Sequence, residues 1–159
     1  MGKRKHLPYR KGTWFLVPLR TEGYARGLVA RMDGKGGAFG YFFGPAIDDP
    51  SDVGVPLDVK PDDAVLVGRF GDLGLMNGTW PVLGESDSWK EANWKMPPFV
   101  RVDDHEGKAF VSVYDESTFA CMSERPCDPA LANQYHYDGD MGYGAVEILL
   151  TKLLNPKEQ

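Results

Sequence analysis

The residues best equipped for chemistry lie in the latter half of the chain. Asp103-Asp104-His105-Glu106-Gly107 and Tyr135-His136-Tyr137-Asp138-Gly139-Asp140 set imidazole among carboxylates, the donor types of a zinc or calcium site. Neither has the spacing such a site requires, and Asp138-Gly139-Asp140 lacks the rest of a calcium loop, so both read as solvated turns. Cys121 with His136 would make a thiol nucleophile and its base, given a lowered thiol pKa and hydrogen-bond reach between the two. Sequence supplies neither condition, and a buried, inert thiol is the expectation. A hydrolase built on Asp72, or on Asp103, Asp104 and His105, has no assembled acid, base and nucleophile. Gly34, Gly36, Gly37, Gly40 and Gly44 miss the Gly-x-Gly-x-x-Gly register at Phe39 and precede no helical pattern, which favours a hairpin loop over a phosphate cradle. Asn77-Gly78-Thr79 has the form of a glycosylation sequon but reads as a turn. No catalytic residue, metal or cofactor is implied, and the chain is not read as an enzyme.

The elements that would position any site are mostly strands. Glycine (19) and proline (12) are abundant in 159 residues while hydrophobic content holds at 42%, the composition of a folded domain with many turns. Thr13–Leu19 is β-branched and aromatic, Tyr24–Met32 resumes the pattern, and Asp33-Gly34 opens a turn before Phe39-Gly40-Tyr41-Phe42-Phe43. A three-stranded meander over residues 13 to 43 follows. Further strands are expected at 64–70, 99–102 and 109–114, the last two joined by the turn at 103–107. Val146, Leu149, Leu150, Leu153 and Leu154 form one helical stripe before Asn155-Pro156, so an amphipathic helix closes the chain and covers a face of the sheet. The expectation is one mainly β domain over residues 1–159, a twisted antiparallel sheet or small open barrel capped by a C-terminal helix, with a basic, flexible start over 1–11. Trp14, Phe39, Tyr41, Phe42 and Phe43 are its candidate core, alternate side chains pointing inward.

The net charge of −5 hides an asymmetry: a basic start precedes an acidic, proline-rich loop carrying Asp48, Asp49, Asp52, Asp58, Asp62 and Asp63. That balance argues against nucleic acid, whose binding needs clustered Lys and Arg, and suits a basic protein partner. No apolar run approaches a membrane span, and no h-region follows the basic N-terminus. Cys121 and Cys127 are too few for a disulfide scaffold, although a bridge between them is conceivable if their Cα atoms come within about 6 Å. A soluble, cytoplasmic protein in a reducing compartment is expected, with no membrane partner.

The stretch Phe70–Gly84 is dense in turn residues and apolar anchors yet holds no His, Cys, Ser or Lys, and three of the four tryptophans, Trp80, Trp89 and Trp94, fall close together in proline-punctuated sequence. Trp80 and Trp94 read as packing, whereas Trp89, among Ser86, Asp87, Ser88, Lys90 and Glu91, reads as the copy most exposed to a partner. Lys11–Leu19, Tyr24–Arg31, Phe70–Gly74, Gly78–Gly84 and Trp94–Phe99, in this order, resemble the immunity protein 26 family of bacterial polymorphic-toxin systems. The resemblance implies a mainly β, non-enzymatic protein that binds and neutralises a toxin made by its own cell lineage. The partner surface expected here is Trp89 beside the acidic loop of Asp48, Asp49 and Asp52. A β-barrel module binding a small ligand or peptide in its mouth is the alternative from the same aromatic excess.

Overall fold

The computed structural model describes residues 7–56 and 58–155, the side chain of Asp52 excepted. Strands β1 (Thr13–Pro18), β2 (Tyr24–Met32) and β3 (Gly37–Ile47) form the expected antiparallel meander. The turn between β2 and β3 is held by Asp33, whose Oδ1 accepts the backbone N–H of Lys35 and Gly37 at 2.7 and 2.9 Å. Then β4 (Leu66–Gly71) pairs with β3, a single helical turn α1 (Leu73–Met76) follows, and β5 (Val82–Glu85) returns to pair with β1. β6 (Phe99–Asp103) and β7 (Lys108–Tyr114) make the second hairpin, and β8 (Cys121–Cys127) adds to β7. Two short strands, β9 (His136–Tyr137) and β10 (Asp140–Met141), pair in parallel with β6 and β4, and α2 (Tyr143–Leu154) ends the described chain.

The result is mainly β, with two sheets where one was expected. Their orders are β10-β4-β3-β2-β1-β5 and β8-β7-β6-β9, both mixed, and neither closes into a barrel. Because the large sheet is covered on both faces, β3 is apolar throughout instead of alternating. Phe42 packs with Phe15, Val17, Phe70, Trp80, Val146 and Leu150 on the α2 side, while Phe39, Tyr41 and Phe43 pack with Trp14, Trp94 and Phe99 on the other. Phe99 belongs to the small sheet, so the second layer is shared between the sheets.

The α2 stripe is rotated from the expected one. Val146 and Leu150 are buried, but Leu149 and Leu153 are 38% and 48% exposed, and Glu147 goes inward instead. Its Oε2 accepts the Trp80 indole N–H at 2.9 Å and its Oε1 accepts Arg20 Nε at 3.0 Å. A buried carboxylate needs such partners, and these two fix the helix's rotation about its axis. Residues 1–6 of the basic start lie outside the described residues. Within the rest of it, Tyr9 is buried with its hydroxyl donating to Asp72 Oδ2 at 2.7 Å, and Arg10 forks onto Glu85. Among the described residues no helix is long and apolar enough to cross a membrane.

A polar latch joins the sheets. Arg69 of β4 donates to Asp138 Oδ1 at 2.9 Å, Tyr114 of β7 donates to Asp138 Oδ2 at 2.7 Å, and the guanidinium lies 4.2 Å from the centre of the Tyr114 ring. Burial, then the bond to Asp138, pushes the Tyr114 phenol up to about 12, and burial does the same to Tyr41. Both folded values exceed the ordinary value of about 10, so this stabilisation is complete below pH ~10 and drains away as pH rises toward 12. Urea unfolding should therefore show stability falling between pH 10 and 11. Tyr114→Phe should start lower, having lost the bond to Asp138, yet fall less steeply; equal slopes would refute the assignment.

Candidate functional site

Several groups singled out for chemistry serve local structure instead. Asp103 Oδ1 accepts the N–H of His105 and Glu106 at 3.0 and 3.3 Å, which makes that acidic cluster a turn. Asn77 Oδ1 caps Thr79 in the same way, and Asp72 receives the Tyr9 hydroxyl. Cys121 and His136 sit on opposite edges of the small sheet, three strand spacings or roughly 14 Å apart, beyond any dyad. Cys121 is exposed, not buried as expected; β8 is held by pairing with β7, and only Cys127 at its end packs on buried residues. Cys121 and Cys127 end the same strand, about 20 Å apart along it, so they cannot bridge. Among the described residues no three potential ligands gather around a metal position.

Three of the four tryptophans gather instead. Trp94 packs edge-on to Trp14 and Tyr41, and Trp89 stacks on Trp94 with ring centres 6.2 Å apart. Trp89 is therefore half-buried, less open than its polar neighbours suggested. Its other support is Gly12, at φ +94°, where a Cβ would lie 2.8 Å from Trp89 Cδ1. Only glycine meets both requirements there, the positive φ and the close approach.

Trp14, Trp89 and Trp94 line a groove of about 360 Å³ together with Pro56, Lys60, Pro61 and Asp62. The acidic loop does contribute to this lining, but from its far half. Asp48 is exposed near the start of that loop, and Asp49 caps the short helical turn Pro50–Asp52 by accepting the Ser51 N–H at 2.9 Å; neither lines the groove. The Asp52 side chain lies outside the described residues.

Polar bonds fasten the loop carrying Trp89 and Trp94. Tyr41 Oη donates to Lys95 O at 2.5 Å, Lys11 pairs with Glu91, and Glu116 Oε1 accepts the Met96 N–H at 3.0 Å. Beneath them Arg31 is buried, donating to Ala30 O at 2.6 Å and reaching Glu91 O and Glu116 Oε1, each at 3.4 Å. Sequence reasoning missed Arg31, Glu116 and the groove lining at Pro56, Pro61 and Asp62. The one available signal was a basic residue inside the apolar run of β2, where a shift in strand register between Val29 and Arg31 re-aims the side chain.

The model of the immunity protein 26 family matches residues 10–111, nearly two-thirds of the chain. The chain belongs to the immunity protein 26 family. No curated protein and no solved structure matches it. Membership makes it an immunity protein to a polymorphic toxin, in a family that is generally non-enzymatic. The matched span of this immunity protein carries β1 to β6, most of β7, and every tryptophan at the groove.

Proposed function

We propose that this immunity protein neutralises its cognate toxin by stoichiometric, non-covalent binding, covering the toxin's active site or substrate path without chemistry of its own. One observation carries the reading: a family member presents a fastened, half-exposed tryptophan stack at a surface groove beside an acidic loop. An inhibitory complex of standard size buries roughly 1,600 Å² around a desolvated aromatic centre with a polar rim. The stack supplies such a centre. Trp89 is its anchor, and Asp48, Asp49 and Asp52 steer a toxin with a basic face, raising the association rate at low salt. The complex forms in the cytoplasm, and neither nucleic acid nor membrane is the target. The ligand-binding barrel is not favoured, because the sheets leave no closed mouth.

The test is a titration of the purified cognate toxin domain. Residual toxin activity should reach zero at one equivalent and return when the complex is dissociated. Inhibition at a small fraction of an equivalent, persisting after this protein is removed, would reveal catalysis and end the proposal.

A further inference from the structure

We infer that the groove is a socket for an arginine side chain of the toxin, an inference that rests on the inhibitor reading above. The base is aromatic: Trp14 and Trp94 are buried, and half-buried Trp89 carries the stack outward. In the same lining, exposed Asp62 has neither an ion pair nor a hydrogen-bond donor among the described residues. Next to lining residues in the chain, Asp58, Asp63 and Asp87 also have no ion pair among the described residues, whereas Glu85 and Glu91 are already taken by Arg10 and Lys11. Lys60 in the lining and Lys90 beside it leave this neighbourhood net negative.

The choice of occupant follows from that lining. A planar guanidinium lies flat on an indole and offers a carboxylate two parallel hydrogen bonds; a lysine ammonium offers neither the plane nor the fork. An apolar anchor would desolvate Asp62 with nothing in return, and an acidic one would meet its charge. The volume, at the small end of ligand pockets, admits a long side chain and not a helix.

Capped tri-arginine peptide, with tri-leucine and tri-glutamate as comparisons, can be titrated into isotopically labelled protein while the four indole N–H resonances are followed. Tri-arginine should move the Trp89 and Trp94 signals at concentrations about tenfold lower than tri-leucine, and tri-glutamate should not move them. Trp80, bonded to Glu147 in the other core layer, should stay still. Asp62→Lys should remove the arginine response with an unchanged melting temperature, and Asp62→Asn should weaken it. Equal responses to arginine and leucine, or an arginine response unaffected by Asp62→Lys, would overturn the socket. These titrations contain no toxin, so they judge the socket even if the chain inhibits nothing. Full one-to-one inhibition beside an unresponsive groove would remove the socket and leave the inhibitor.

Discussion

Trp80→Ala should lower the unfolding free energy by about 4 kcal/mol, the middle of the range for truncating a buried aromatic. The indole has no exposed surface, stacks on Phe15 with centres 5.5 Å apart and planes 4° from parallel, and leans on Phe70 at 5.7 Å. Gly74 is packed against the ring too, so close that a Cβ there would lie 2.7 Å from it. Truncation opens a cavity that this framework cannot refill, and it also strips from buried Glu147 the donor that Arg20 alone does not replace. Trp80→Phe separates the two effects: it keeps most of the packing and loses the N–H, so it should cost about 2 kcal/mol. Against a total of roughly 5–15 kcal/mol, the alanine variant is left marginal. Urea unfolding followed by circular dichroism measures both; a loss below about 1.5 kcal/mol for Trp80→Ala would mean that the core does not depend on this ring.

The second large effect falls on binding. Trp89→Ala should weaken toxin affinity by about a hundredfold, near 3 kcal/mol, as expected of a tryptophan at the centre of an interface. Its effect on folding should be smaller, because the ring is half-buried and supported from the sides by Gly12 and Trp94. Reversing Asp48, Asp49 and Asp52 to lysine should act on the other rate: association slows and its dependence on salt diminishes, with little change in dissociation. Surface-immobilised toxin and a series of salt concentrations separate the two. Unchanged affinity in both variants would remove this placement of the interface while leaving inhibition itself intact.

What could be read from sequence was what local pattern decides. The β1–β3 meander follows from β-branched and aromatic runs around Asp33-Gly34, the β6–β7 hairpin from turn residues at 103–107, and α2 from apolar spacing. What escaped was decided by distant partners. Cys121–Cys127 has a proline, two charges and no buried face, and it is a strand only because β7 offers it a ladder. The rotation of α2 depends on Glu147 meeting Trp80, 67 residues away. Trp89 looked open from its polar neighbours, but its supports are Gly12, far back in the chain, and Trp94. Part of the groove's lining comes from a loop with no periodicity at all, so Asp62 could be recognised as acidic but not as sharing a groove with tryptophans.

The fastening of residues 91–96 by Arg31, Tyr41 and Glu116 bears on how fast a complex can form. A slack segment would have to surrender conformational freedom at the moment of contact, on the order of 1 kcal/mol for each residue stilled. Here that ordering has already happened during folding. For the proposed complex, encounter should then be limited chiefly by diffusion and charge, and how long the pair stays together by the fit of the toxin to this finished surface.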